Sequence, residues 1–97
     1  MREVEFKNWM ASIDIDHKVQ SDIISRIKRI ERELDHMDID EEYQKDKCVE
    51  LMSIFKKLGK NEKMAKYTNC SLPIGKYSMP TYSHAIRKYI AFRDSVK

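Results

Sequence analysis

Three lysine–tyrosine pairs are the residues of this sequence best suited to contact a ligand. They are Lys66-Tyr67, Lys76-Tyr77 and Lys88-Tyr89. A lysine ammonium group can contact a phosphate while a neighbouring aromatic ring stacks on a base, a combination that single-stranded or distorted nucleic acid exploits. Tyr89 fits the apolar spacing of a helix and is expected in the core. Tyr67 and Tyr77 belong to a polar stretch and are therefore the better candidates for contacts.

Charge is unevenly distributed along the chain, although the net charge is only +3. Residues 31–50, called the acidic segment below, contain nine acids and three bases, a net charge of −6. Residues 56–76 have a net charge of +5, and residues 77–97 have a net charge of +3. Such a dipolar chain favours an anionic partner for its basic half. The alternative interpretation is a solvated surface without a specific partner.

No motif in the sequence indicates catalysis or a bound cofactor. The chain lacks a glycine-rich phosphate loop, an HExxH zinc motif and a GxSxG motif. His17, His36 and His84 lie on separate segments, and none has a second histidine one helical turn away, so a metal site is not expected. Cys48 and Cys70 lack CxxC spacing and are expected to be reduced thiols. We therefore expect a protein that is not an enzyme and has no cofactor or metal.

Length and hydropathy predict a single domain without a membrane-spanning segment. Its 97 residues suit a single helical domain, residues 1–97. The chain has no run of about 18 apolar residues and no pattern of a signal peptide, so we expect a cytoplasmic protein without a membrane partner. Only two glycines and two prolines occur, and three of these four lie within residues 73–80. The remainder of the chain therefore favours helix.

Apolar spacing predicts an all-α fold of four to five helices. Residues 3–12 are expected to form a short first helix anchored by Trp9. A second helix follows Asp14 or Asp16 as its N-cap. Its apolar stripe has a period of 3.6 residues and consists of Val19, Ile23, Ile24, Ile27, Ile30 and Leu34.

The second half of the chain predicts two further helices around a long loop. A third helix is expected over residues 40–59, with acids at its start and a stop at Gly59. Residues 60–66 suit a short helical turn, and residues 67–79 suit a loop. Ser78 and Pro80 are expected to start the last helix, which ends near residue 96. The expected buried anchors are Trp9, Ile23, Ile27, Ile30, Phe55, Ile86 and Ile90.

Three stretches together resemble a known domain. Residues 6–10 (FKNWM), the isoleucines of the second helix and residues 78–92 (SMPTYSHAIRKYIAF) follow in the expected order. This order is similar to the N-terminal SAM-like, or core-binding, domain of phage integrases and other tyrosine recombinases. The resemblance covers most of the chain and depends mainly on packing positions. It implies a small orthogonal bundle of four to five helices.

The resemblance also implies a role for basic helix residues. In that family the domain clamps one side of duplex DNA and places basic side chains on the phosphates. The matching positions in this chain are Arg26, Arg29, Arg87 and Lys88. Because the chain stops at Lys97 without a catalytic domain, recombinase activity cannot be inferred from the resemblance.

Two hypotheses of different classes follow from these observations. The first is a non-enzymatic module that binds DNA or RNA phosphates through its basic half. Its candidate contacts are Arg26, Arg29, Lys66, Tyr67, Lys76, Tyr77, Arg87 and Lys88. The second is a small phage or mobile-element protein that inhibits or adapts a protein target, with the acidic segment as a mimic of DNA charge. Exposure of the basic residues favours the first, and a single exposed acidic surface favours the second.

Overall fold

Helices account for 69% of the described residues in the computed structural model, which describes residues 1–67 and 70–96. Within these two ranges the chain has no strand, which confirms the all-α prediction. The elements in chain order are α1 (Glu3–Ser12), α2 (His17–Glu33), α3 (Ile39–Asp46), α4 (Val49–Ile54), a 3₁₀ turn (Lys56–Gly59), α5 (Glu62–Ala65) and α6 (Pro80–Ser95).

The long helix α2 forms as its apolar stripe predicts. The Asp16 carboxylate accepts the Lys18 amide at 2.9 Å, so Asp16 is the N-cap. The stripe is buried from Ile23 to Leu34, but Val19 lies outside it and is exposed. Two successive residues in the left-handed region, Asp35 and His36, turn the chain after the helix. Helix α2 therefore presents one continuous apolar face, which packs mainly against α6.

The predicted third helix is divided into two, so the prediction of one helix over residues 40–59 is wrong. Lys47 and Cys48 have φ values of 56° and 64°, which end α3 and turn the chain into α4. The Asp46 carboxylate accepts the amides of Val49 and Glu50 at 3.1 and 3.0 Å. The new N-terminus is therefore capped locally, and the turn buries the Cys48 side chain completely.

Aromatic side chains from α1 and α6 form the centre of the core. The Phe6 ring lies 4.9 Å from Tyr89 and 5.3 Å from Phe92, measured between centroids, and all three residues are buried. The sequence predicts Trp9 as the main anchor of α1, but Trp9 is only half-buried, with its ring centroid 5.9 Å from that of Phe92. Phe6 therefore anchors α1, because the helix turns Phe6 rather than Trp9 inward.

The remaining predicted anchors are buried with one exception. Ile23, Ile27, Ile30, Phe55 and Ile86 belong to the core, as predicted. Ile90 is only partly buried and packs against the core from its edge. Truncation of the buried set should therefore be far more destabilising than truncation of the edge residues.

Helix α6 begins at Pro80, as predicted, but its start is made by the backbone. The Ser78 carbonyl oxygen accepts the Thr81 amide at 3.1 Å and the Thr81 hydroxyl at 2.6 Å. The sequence predicts a hydroxyl cap from the stretch of residues 78–81, but no side chain of the described residues caps α6, and Ser78 contributes its carbonyl instead. No helix within the described ranges is long and apolar enough to cross a bilayer.

Candidate nucleic-acid interface

A sharp turn between α4 and α5 gathers lysines at one corner of the molecule. Lys57, Leu58 and Gly59 all have positive φ, at 56°, 57° and 82°, so the chain reverses within three residues. Asn61 fixes the two ends of the turn. Its side-chain nitrogen donates to the carbonyls of Ile54 and Lys56 at 2.8 and 2.9 Å, while its side-chain oxygen caps α5. The corner is therefore held by hydrogen bonds as well as by backbone geometry.

An open groove of about 430 Å³ lies at this corner. It is lined by Ser53, Lys56, Lys57, Lys60, Asn61, Glu62 and Lys63. Lys63 is already paired, since its Nζ lies 3.0 Å from Glu50 Oε2 and 2.8 Å from Ser53 Oγ. Within residues 1–67 and 70–96, the other three lysines make no ion pair, and all three are exposed. Their charge is available to an anion from solvent.

The loop before α6 packs onto the same corner. The Gly75 amide donates to the Leu58 carbonyl at 2.7 Å, which joins the loop to the turn. Gly75 has a φ of 79°, and a Cβ atom there would lie 2.6 Å from Lys60 Cε. The left-handed backbone conformation favours glycine at this position, and the missing Cβ leaves room for the lysine stem. Lys60 therefore runs directly alongside the loop that contains Lys76 and Tyr77.

We give the name contact surface to the exposed residues of the groove and of the adjoining loop: Lys56, Lys57, Lys60, Lys76 and Tyr77. The loop members Lys76 and Tyr77 are both exposed. Of the predicted contacts, the structure thus places these two beside a lysine cluster from a different part of the chain.

Arg29, a predicted phosphate contact, is engaged inside the molecule. Its two terminal guanidinium nitrogens donate at 2.7 Å to the Tyr82 hydroxyl and to the Ser71 carbonyl. The guanidinium also lies over the Tyr82 ring, 5.8 Å from its centroid. Glu33, one helical turn further along α2, accepts the Ser71 amide, and hydrogen bonds from Ser71 lower the pKa of Glu33. Arg29 therefore links α2 to α6 and to the loop, although its role as a phosphate contact stays a prediction.

The other helix residues of the prediction are more open. Arg26 is half-buried on α2, one turn before Arg29. On α6, Arg87 is exposed and Lys88 is half-buried. No ion pair involves any of these three within the described ranges. They remain candidates for a second row of phosphate contacts.

Lys66 and Tyr67 differ from each other in exposure. Lys66 is exposed, whereas Tyr67 is half-buried and packs against the core. Partial burial raises the pKa of the Tyr67 hydroxyl. Tyr67 therefore has less free ring surface for stacking than Tyr77, which is 94% exposed.

Sequence reasoning missed Lys56, Lys57 and Lys60 as site residues, although it counted their charge. The net charge of +5 over residues 56–76 was the signal that could have found them. Their spacing suggested the end of a long helix, where lysines offset the helix dipole. The reversal at Lys57 and Leu58 places them around a groove instead.

The acidic segment is largely used by internal contacts. Asp40 shows this best, because its Oδ1 accepts the Tyr89 hydroxyl and the Arg93 guanidinium, each at 2.6 Å. Arg93 also stacks on the Tyr43 ring at 4.5 Å. The acids of the segment that accept hydrogen bonds are Glu31, Glu33, Asp38, Asp40, Asp46 and Glu50. The segment therefore offers a smaller free acidic surface than its composition suggests.

The described residues contain no cluster that could bind a metal, and the pKa values of both thiols are raised. No group of three or more histidine, cysteine, aspartate or glutamate side chains there could hold a metal ion. Cys48 is buried, and burial raises the pKa of its thiol to about 12. Burial also raises the pKa of Cys70. Both thiols are therefore poor nucleophiles at neutral pH.

Comparisons with protein-family models, with curated proteins and with solved structures found no match to this chain.

Proposed function

We propose that the protein is a non-enzymatic module that binds nucleic acid through its phosphates. The observation that carries the proposal is the groove lined by Lys56, Lys57 and Lys60, which make no ion pair with the described residues. Lys60 runs past Gly75, in the loop that also carries Lys76 and Tyr77. The turn with Lys56, Lys57 and Lys60 and the loop with Lys76 meet at Leu58 and Gly75, so a single backbone could contact lysines of both segments at once. Each phosphate contact releases condensed counterions, and this release dominates the affinity of such modules.

The rival function, a protein inhibitor that mimics DNA charge, has weaker support. A mimic needs its acids clustered and free on one exposed surface. Asp40 is instead bound to Tyr89 and Arg93, and Asp46 caps α4. Protein binding through the acidic segment would therefore depend on the few acids that face solvent, such as Asp35 and Glu41.

Binding to labelled oligonucleotides at about 50 mM salt tests the proposal. We expect micromolar or tighter binding, with log K falling against log salt by about 0.7 to 0.9 per phosphate contact. A triple variant, Lys56→Gln, Lys57→Gln and Lys60→Gln, should reduce this slope by about two to three units. Arg87→Ala tests whether α6 contributes a further contact.

A matched control removes lysine charge from other surfaces. Lys18→Gln and Lys45→Gln change exposed lysines of α2 and α3, and they should leave the slope nearly unchanged. Absence of binding to single-stranded and duplex DNA and RNA at micromolar protein would overturn the proposal. An equal loss per removed charge in the double control and in the triple variant would show that net charge, not the contact surface, causes binding.

We also propose the finer arrangement that the sequence resemblance implies, a SAM-like orthogonal bundle from a phage or other mobile element. The order of a short aromatic helix, a long helix, short helices and a final long helix supports this arrangement. Mutual packing of α1, α2 and α6 supports it as well. Cytoplasmic location stays a prediction from the hydropathy of the sequence.

A further inference from the structure

Tyr77 is a large aromatic side chain of the contact surface that the fold leaves almost fully exposed. It is 94% exposed, and its ring contacts no other aromatic ring or cation within residues 1–67 and 70–96. A tyrosine usually buries a large part of its ring in a fold or an interface. Isolated exposed apolar residues are common, so exposure alone does not identify a site. The backbone that carries Tyr77 provides the second observation.

The loop around Tyr77 is held in place on both sides. Leu72 and Met79 are buried, at 5% and 1% exposure, and anchor its two ends. Hydrogen bonds from Lys76 to the Pro73 carbonyl and from Met79 to the Lys76 carbonyl, at 3.1 and 3.0 Å, form two consecutive turns. The second turn contains Tyr77. The ring is therefore presented to solvent from a fixed backbone, which reduces the entropic cost of stacking on a ligand.

Two lysines lie near the backbone that carries this ring. Lys76 precedes it in the chain, and Lys60 runs past Gly75, two residues before Tyr77. Phosphates are spaced regularly along a strand, so lysines beside a ring can hold a backbone while the ring meets a base. In duplex DNA and RNA the base faces are covered by their neighbours. An exposed ring on a turn therefore stacks most readily on the open face of an unpaired base.

From this arrangement we infer that the contact surface binds single-stranded nucleic acid, with Tyr77 as the platform on which one base stacks. The inference rests on the proposed function and adds the ligand class and the role of the ring. Lys60 and Lys76 contact phosphates beside the stacked nucleotide. Sequence preference is weak because every base offers a π face.

The test is a cycle that removes the ring and the bases separately. Probes are a fluorescent 12-mer of deoxythymidine, an abasic strand with the same number of phosphates, and a mixed-sequence 12-base-pair duplex. Proteins are the wild type, Tyr77→Ala, and Tyr77→Phe, which keeps the ring. Ile74→Ala serves as a matched control, because Ile74 is an exposed apolar residue of the same loop.

We expect Tyr77→Ala to weaken binding of the thymidine strand by about 5- to 150-fold, the range measured for loss of one stacked base. Tyr77→Phe and Ile74→Ala should remain within about twofold of the wild type, a difference below the range for one stacked base. On the abasic strand and the duplex, Tyr77→Ala should bind as the wild type does. The salt slope should be the same for all four proteins, because no phosphate contact is changed.

Each contrary result has a separate meaning. Equal binding of the thymidine strand by the wild type and Tyr77→Ala, with salt-sensitive binding retained, overturns the stacking inference and leaves the proposed function standing. Equal weakening on the abasic strand or the duplex also overturns it, since the ring would then act without a base. If no probe binds, the proposed function itself fails.

Discussion

The acidic segment and the contact surface differ in how the fold treats their charges. In the acidic segment, carboxylates accept hydrogen bonds from the backbone and from other helices, as Asp40 does from Tyr89 and Arg93. On the contact surface, Lys56, Lys57 and Lys60 project into solvent without ion pairs among the described residues. The difference indicates that the acids serve mainly to hold the fold and that the lysines are available for a partner. Charge counts along the sequence could not separate these two uses.

Among these predictions, Asp40→Asn should cause the largest change in the free energy of unfolding. Arg93 is buried, with its side chain 9% exposed, and the substitution leaves its charge without a carboxylate. Loss of one partner from a buried pair costs about 3 to 5 kcal/mol, and partial exposure of Asp40 reduces this to about 2 to 4 kcal/mol. Urea denaturation measures the change in unfolding free energy.

Glu41→Gln is the matched control for Asp40→Asn, because both residues lie in the first turn of α3 and interact similarly with its dipole. Glu41 is exposed, so its substitution should cost about 0.5 kcal/mol or less. Equal costs for the two variants would show that the internal network does not stabilise the fold and would remove the contrast with the lysines.

The hydrogen bonds of Asp40 with Tyr89 and Arg93 also show what the sequence alone could not predict. The isoleucine spacing predicted α2 and its buried face, because a period of 3.6 residues is a local property of the chain. Nothing in that spacing shows that Asp40 meets Tyr89 and Arg93, since about fifty residues separate them. The same limit applies to the contact surface, where Gly75 meets Leu58 only in the folded chain.

Two local errors have equally physical causes. The break at Lys47 and Cys48 contains no glycine or proline, the usual signals of a turn, and depends on capping by Asp46. Phe6 and Trp9 are three residues apart on α1, so apolar spacing alone could not decide which ring the helix would bury. Both errors concern positions where tertiary packing selects between two locally acceptable arrangements.

Acidification should have a smaller effect on stability than the substitution of Asp40. Burial disfavours the charged form of Asp40, but hydrogen bonds from Tyr89, Met1 and Arg93 outweigh it and lower the pKa below its ordinary value of 3.8. A lowered pKa in the folded state stabilises the protein above pH 3.8, and this contribution is lost as the pH falls through the folded pKa. The stability difference between the wild type and Asp40→Asn should therefore shrink as the pH falls below about 4, as urea titrations at several pH values would detect. A difference independent of pH would contradict the role of the carboxylate charge.

The smallest effect is expected on the stability of the triple lysine variant. Glutamine keeps most of the aliphatic stem and has a similar helix propensity, so Lys56→Gln, Lys57→Gln and Lys60→Gln remove charge with little change in packing. The backbone strain at Lys57 is the same for glutamine, since both residues have a Cβ atom. The three ammonium groups are exposed, line one groove and make no ion pair with the described residues, so their loss should relieve mutual repulsion without breaking a bond seen there. Unfolding free energy should therefore change by less than about 0.5 kcal/mol in urea denaturation.

A loss of more than about 1 kcal/mol, beyond the usual range for surface substitutions, would mean that these lysines also hold the fold together, as the carboxylates do. A weakened oligonucleotide affinity could then no longer be assigned to the contact surface alone.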